Sequence, residues 1–166
     1  MLSERTRTVR VLVLGDDVNT DLLHPPRFFG TTQEAVLPGF LAGYPPEVAA
    51  AFRPGDLLVG GRNFGCGSSR EAYVRAFRYA GVGGIIAHSF ARIFYRNCIN
   101  AGIPLAHHPM LYRELTSWEE VAFDSAAWHV TRVSTGDTIP LTPPPAHLQR
   151  ILAAGGLLAY LALNAT

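Results

Sequence analysis

The residues best suited to chemistry lie together in segment 61–71, which reads GRNFGCGSSRE. Gly65 and Gly67 would let the backbone approach a ligand closely, and a helix beginning after them would present free N–H groups to an anion. Arg70 could bind a carboxylate through two parallel hydrogen bonds. Because the same positive end of a helix could stabilise a deprotonated serine, the segment predicts a carboxylate-binding loop in which Ser68 acts as a base.

Ordinary helix capping is the main alternative for this loop, since Ser68 and Glu71 also fit a capping box. A phosphate ligand is another, although the segment lacks the P-loop lysine and does not match the G-x-G-x-x-G fingerprint. Cys66 could be a reactive thiol near a helix start, but no histidine is close in sequence to activate it. The glycines favour a ligand-binding loop, because a capped helix does not need them.

The elements that must position this loop are buried strands and amphipathic helices. Apolar runs at 9–14 and 57–59 predict two strands, so the loop follows the carboxyl end of the second one. Apolar residues at helical spacing then predict a helix over 69–80. The next apolar run predicts a strand at 84–87. It is followed by a predicted helix at 89–101, capped by Ser89 and with Phe90, Ile93, Phe94 and Cys98 facing inward. Later patterns predict strands at 121–123, 128–133 and 138–141 and a helix at 146–154.

The segment 16–54 is rich in proline and glycine and predicts a long surface connection with one short helix at 47–52. Its beginning, residues 17–21, matches the first half of a calcium loop. Leu22 and Phe28 stand where that loop needs a glycine and a bidentate glutamate, so calcium is excluded. An Asx-rich turn after the first strand is the simpler interpretation.

Composition sets the general class of protein. The chain has 166 residues, of which 48% are hydrophobic and 16% charged, and predicts one domain over 1–166. A net charge of +1 gives no sign of nucleic-acid binding, and no apolar run is long enough to span a membrane, so we expect a cytoplasmic protein. Cys66 and Cys98 lack zinc-ligand spacing, and the histidines are scattered and receive no role, so we expect no metal bound by this chain. Cys98 is interpreted as a core residue.

Three segments, 15–21, 61–71 and 85–98, together resemble the small subunit of 3-isopropylmalate dehydratase and the swivelling fourth domain of aconitases. Their order and spacing agree along nearly the whole chain, and the combination is more specific than any single motif. The resemblance implies an α/β fold of the swivelling β/β/α type, with a central mixed sheet or barrel flanked by helices. It also implies a partner: in this family a four-iron four-sulfur cluster is held by three cysteines of a separate large subunit, in a heterodimer or heterotetramer.

The resemblance assigns roles to residues of this chain. Ser68 would remove the proton from the carbon beside the leaving hydroxyl, while the partner's cluster acts as a Lewis acid on that hydroxyl. The remaining assignments are a carboxylate clamp at Arg70, a hydrogen-bonding set completed by Ser69 and Asp21, and loop shaping by Gly65 and Gly67. The substrate would be a small hydroxy-dicarboxylic acid.

Substrate choice is assigned to the segment resembling the family's specificity loop, Arg27, Phe28, Phe29, Gly30 and Thr31. Relatives that bind tricarboxylic acids often have an arginine where Gly30 stands. Its absence beside two phenylalanines predicts a substrate with an apolar arm, such as isopropylmalate of leucine biosynthesis, because a distal carboxylate would be buried without a partner. The alternatives are a related aconitase or homoaconitase, a methylmalate or citraconate hydratase, and, from another class, a stand-alone anion-binding module. After Glu71 the chain has Ala72-Tyr73 where many relatives have His-Ala, which leaves a specialised pathway open.

Overall fold

The structure is a computed structural model that describes residues 6–68 and 70–165. Within this part, seven strands form one sheet: β1 Thr6–Val13, β2 Leu57–Gly60, β3 Gly84–Ala87, β4 Leu105–His107, β5 Glu120–Asp124, β6 His129–Arg132 and β7 Thr138–Pro140. The α-helices are α1 Thr20–Leu23, α2 Gln33–Val36, α3 Pro46–Ala51, α4 Glu71–Ala80, α5 Arg92–Asn100, α6 Leu111–Glu114, α7 Ala146–Ala153 and α8 Leu157–Leu163.

The sheet has the order β4-β3-β2-β1-β5-β6-β7 and changes character at its central strand. On one side of β1 the strands are parallel, with Leu58 opposite both Leu12 and Ile85. On the other side they are antiparallel, and β1 pairs with β5 from Thr6 opposite Asp124 onward. Parallel strands end at the same edge of a sheet, so the loops after β1, β2 and β3 meet there.

The sheet curls until its two edges meet. His107 of edge strand β4 exchanges two backbone hydrogen bonds of 2.9 Å with Thr142, which lies just beyond β7 at the other edge. Alternate residues of each strand then enter different cores. Leu58 packs into the larger cluster, with α4 and α5, whereas Leu57 and Val59 join a second cluster that includes residues of β5 and β6. The expectation of a mixed sheet flanked by helices is confirmed.

Most predicted elements are present, but two details of α5 were wrong. The helix begins at Arg92 and its N-cap is Ala91, because the Ser89 hydroxyl accepts a 2.9 Å hydrogen bond from the Asn63 backbone N–H instead. Ile93, predicted to face inward, is 56% exposed, while Ile99 is buried.

The connection 16–54 contains more helix than predicted. The predicted helix at 47–52 is observed as α3, but α1, α2 and two 3-10 turns, Pro26–Phe28 and Leu37–Gly39, also fold the segment back against the sheet's helices. Among the described residues, no single helix is both long and apolar enough to cross a membrane; α7 and α8 meet those criteria only as a pair bent by 87°.

Candidate active site

The candidate site forms where the loops after β1 and β2 run side by side. Three backbone hydrogen bonds of 2.8 Å join the two loops: Asp17 N–H to Arg62, Gly65 N–H to Val18, and Thr20 N–H to Cys66. These bonds continue the parallel pairing of β1 and β2 beyond the sheet edge. They bring α1 against the glycine-rich loop.

Ser68 and Asp21 meet at this junction, although they are 47 positions apart in the chain. The Ser68 hydroxyl donates a 3.1 Å hydrogen bond to a carboxylate oxygen of Asp21. Thr20 fixes the loop by donating its hydroxyl to the Ser68 carbonyl at 2.9 Å, and the Asn19 side chain accepts from the Asp21 backbone N–H at 2.8 Å. The arrangement gives the serine proton a defined acceptor, which a candidate base requires.

The two loop glycines lie where a side chain would not fit. Gly65 has φ of 84°, and a Cβ there would overlap the ring of Phe94. Gly67 has φ of 104°, and its Cβ would lie 2.6 Å from the amide oxygen of Asn19. Both positions therefore demand glycine for backbone conformation and for space. A small cavity of about 180 Å³ opens beside them and is lined in part by Ser68.

The capping-box alternative is not realised in the described part of the chain. Helix α4 begins at Glu71, its N-cap is Arg70, and no side-chain hydrogen bond caps it. The predicted start at 69 was therefore two residues early. Ser69, predicted to bind substrate, lies outside the described residues.

Arg70 is exposed at the start of α4, with its guanidinium carbon 4.4 Å from the centre of the Phe29 ring. Within the described residues, no carboxylate forms an ion pair with it, so its N–H groups are available to a ligand. The contact joins the predicted carboxylate clamp to the predicted specificity segment.

The specificity segment forms a 3-10 turn followed by extended chain. Arg27 lies over the Phe28 ring at 4.7 Å, and Thr31 is exposed. Gly30 is held tightly against α2, since a Cβ at this position would lie 2.5 Å from the Cβ of Ala35. Any larger residue at Gly30 would require α2 to move.

Residues that the sequence interpretation passed over also contribute. Asn19 and Thr20 hold Ser68 and Asp21 in place. Their signals in the sequence were the Asx-rich pattern of 17–21 and the family resemblance of segment 15–21. His24, given no role, is 2% exposed and stacks on Phe29 with ring centres 5.9 Å apart. A lone histidine in a sequence carries no indication of such burial.

The cysteines do not offer a competing nucleophile. Burial and the neighbouring Asp17 carboxylate raise the pKa of the Cys66 thiol, which disfavours its reactive thiolate. Cys98 is fully buried, as its interpretation as a core residue required, and burial raises its pKa still further. In residues 6–68 and 70–165 no group of three or more metal-ligating side chains is positioned to bind an ion.

A larger cavity lies at the other end of the sheet. It measures about 750 Å³ and is lined by residues near the amino ends of the parallel strands, including Arg7, Gly55, Gly83 and Pro104. None of the predicted site residues lines it. Side-chain chemistry rather than cavity size therefore locates the candidate site.

Comparison with known proteins identifies the class of protein to which this chain belongs. A family model described as the aconitase C-terminal domain matches residues 46–109. The chain is 40% identical over 153 residues to the 3-isopropylmalate dehydratase small subunit of Moorella thermoacetica, covering 89% of this chain and 90% of that protein. It is also 40% identical over 152 residues to the methanogen homoaconitase small subunit of Methanothermobacter thermautotrophicus, covering 91% and 88%.

The fold agrees with a solved structure of the same class. A crystal structure of 3-isopropylmalate dehydratase from Methanocaldococcus jannaschii superposes with a TM-score of 0.89 at 35% identity, covering 96% of this chain and 95% of that one. These likenesses extend over nearly the whole chain. The chain therefore belongs to the family of 3-isopropylmalate dehydratase small subunits, which are aconitase-like hydro-lyase subunits. The resemblance stated from the sequence is confirmed.

Proposed function

We propose that this chain forms one swivelling domain that supplies the base and the carboxylate clamp of a two-subunit enzyme converting 2-isopropylmalate to 3-isopropylmalate in leucine biosynthesis. The observation that carries the proposal is the hydrogen bond from Ser68 to Asp21. Arg70, two residues beyond Ser68, is exposed, and its guanidinium forms no ion pair with a carboxylate of the described residues. The glycine-rich loop would thus supply both a base and a cation suited to a dicarboxylic acid. The reaction takes place in the cytoplasm.

The proton passes through groups of this chain. Ser68 Oγ takes the proton from the carbon beside the hydroxyl-bearing carbon, while its own proton moves along the hydrogen bond to Asp21. Because the Asp21 carboxylate accepts the hydroxyl proton as Ser68 takes the proton from carbon, Ser68 never has to exist as a free alkoxide at neutral pH. Rehydration with the opposite regiochemistry reverses the transfer, and Ser68 returns a proton to carbon.

Arg70, Ser69 and the glycines complete the substrate site. The guanidinium of Arg70 binds one substrate carboxylate through two parallel hydrogen bonds. Gly65 and Gly67 keep the loop backbone close enough for its N–H groups to contact the same anion. Ser69 adds a hydroxyl donor.

The apolar arm of the substrate is accommodated by the specificity segment of residues 27–31. Close contact between Gly30 and Ala35 leaves no space for an arginine at position 30 unless α2 moves. The segment therefore lacks the arginine that tricarboxylate-binding relatives often have at position 30, while Phe28 and Phe29 offer apolar surface to a substrate arm. The segment favours isopropylmalate over the tricarboxylic substrates of aconitases.

The iron-sulfur chemistry is assigned to a large subunit. The side chains of this chain do not fit a cluster, since Cys98 is buried in the core and Cys66 has no second thiol beside it. We therefore expect a four-iron four-sulfur cluster on the partner, where it would act as a Lewis acid on the hydroxyl that leaves.

The test is anaerobic reconstitution with a cluster-bearing large subunit, followed by assays on isopropylmalate, citramalate, citrate and homocitrate. We expect turnover of isopropylmalate, and a fall in kcat of about 10²- to 10⁴-fold in Ser68→Ala. The matched control is Ser134→Ala, at an exposed turn outside the site, which should retain full activity. No turnover of isopropylmalate by the wild-type pair would refute the function, and an active Ser68→Ala would refute the assigned base.

A further inference from the structure

Phe29 contacts both a buried histidine and an exposed arginine. One face of its ring stacks on His24 with planes only 10° apart, and its ring centre is 4.4 Å from the guanidinium carbon of Arg70. His24 is itself fixed, because Nε2 lies 2.8 Å from the Val36 carbonyl oxygen and Gly39 leaves room for the ring. The three side chains form a stack that runs from the core to the substrate clamp.

The buried end of the stack, His24, is uncharged. Burial lowers the pKa of His24, so the imidazole is neutral at pH 7, and Nε2–H donates to the Val36 carbonyl. Within the described residues, Nδ1 has no hydrogen-bond partner, which agrees with an unprotonated nitrogen. A neutral imidazole can support Phe29 without repelling the guanidinium of Arg70.

Contact with the ring leaves the binding edge of Arg70 free. A cation over an aromatic face is attracted by the electrons of the ring, whereas the N–H groups of a guanidinium lie in its own plane and point outward. The side chain of Arg70 has several rotatable bonds and is exposed, so without the ring it would sample many orientations. With the ring it presents its N–H groups to a carboxylate before substrate arrives.

We propose that Phe29 is a positioning residue that holds Arg70 in its carboxylate-binding orientation and is itself held by His24. This inference rests on the proposed function, in which Arg70 clamps the substrate. It gives Phe29 a second task besides contact with the substrate's apolar arm. The specificity segment and the clamp would then act as one unit.

The kinetic test uses the reconstituted two-subunit enzyme with Phe29→Leu and Phe29→Tyr. Leucine keeps apolar bulk but removes the ring, so we expect KM for isopropylmalate to rise about two- to fivefold with little change in kcat, the range expected for an exposed cation–aromatic contact. Tyrosine keeps the ring and should restore KM. Tyr79→Leu is the matched control, since it removes an exposed ring from α4 away from Arg70 and should leave both constants unchanged.

A second measurement does not depend on activity. In ¹⁵N-edited NMR spectra of the full chain, the Arg70 Nε–H proton should show an upfield ring-current shift that Phe29→Leu abolishes and Phe29→Tyr keeps. An unchanged KM in Phe29→Leu, a loss confined to kcat, or no rescue by tyrosine would overturn the positioning role. An inactive wild-type pair would instead reject the proposed function, and the NMR shift would then decide whether the stack exists.

Discussion

Gly67→Ala should destabilise the protein through two separable effects. The first is backbone strain: a φ of 104° is unfavourable for any residue with a Cβ and costs about 1–2 kcal/mol. The second is local: the new Cβ would lie 2.6 Å from the Asn19 amide oxygen, far inside the 3.4 Å where ordinary contact begins. If Asn19 moves, it gives up its cap of α1, which is worth about 1 kcal/mol.

The expected total is about 2–3 kcal/mol, which lowers Tm by roughly 4–12 °C for a chain of this length. Two controls separate the effects. Gly136 has φ of 80° but nothing within 4 Å of a Cβ, so Gly136→Ala reports backbone strain alone. Gly15 has neither a positive φ nor a close neighbour, so Gly15→Ala should leave Tm unchanged or slightly higher.

The assay is thermal unfolding of all three variants followed by circular dichroism. We expect Gly67→Ala to melt lowest, Gly136→Ala to lie between it and the wild type, and Gly15→Ala to match the wild type. Equal Tm values for Gly67→Ala and Gly136→Ala would show that contact with Asn19 has no energetic effect, and the reasoning would be refuted.

Two further changes test buried polar side chains. Asp56→Ala removes a buried carboxylate that accepts hydrogen bonds from the backbone N–H groups of Arg10 and Arg53 and pairs with the Arg10 guanidinium. We therefore expect the free energy of unfolding, measured in urea, to fall by about 3 kcal/mol. A loss below about 1 kcal/mol would contradict this expectation. Because the pKa of His24 is lowered in the folded protein, the unfolded chain protonates this imidazole first as pH falls. The stability that the neutral His24 contributes is therefore complete above pH 6.5 and is lost as pH falls below that value. We expect Tm to drop between pH 7 and pH 5, and His24→Gln to drop less; equal slopes would exclude His24 as a cause.

The sequence predicts elements well where one local pattern decides them. The buried runs of β2 and β3 and the helical periodicity of α4 are of this kind. The start of α5 was missed because its decisive contact is long-range: Ser89 bonds to Asn63, 26 positions away, rather than to its own helix. A hydroxyl can serve either partner, and only the assembled sheet edge selects one.

In the candidate site, too, residues that the sequence predicts are brought together by long-range contacts that it does not predict. Ser68 was named from the residues of its own loop and Asp21 from resemblance to the family, but their hydrogen bond depends on the parallel register of β1 and β2. The stack of His24, Phe29 and Arg70 depends on how segment 16–54 folds back, which its prolines and glycines do not specify. Roles for Ser69 and for the other site residues stay predictions until the reconstituted enzyme is assayed.

The central position of β1 has a consequence for the order of assembly during synthesis. Its parallel partner β2 is synthesised soon after it. On the antiparallel side, however, Thr6 pairs with Asp124, which is synthesised 118 residues later. At about 5–20 residues per second, that edge of β1 stays unpaired on the ribosome for roughly 6–24 s. An open strand edge is a template for pairing with other chains. Until β5 is made, the antiparallel edge of β1 therefore needs protection from pairing with neighbouring chains.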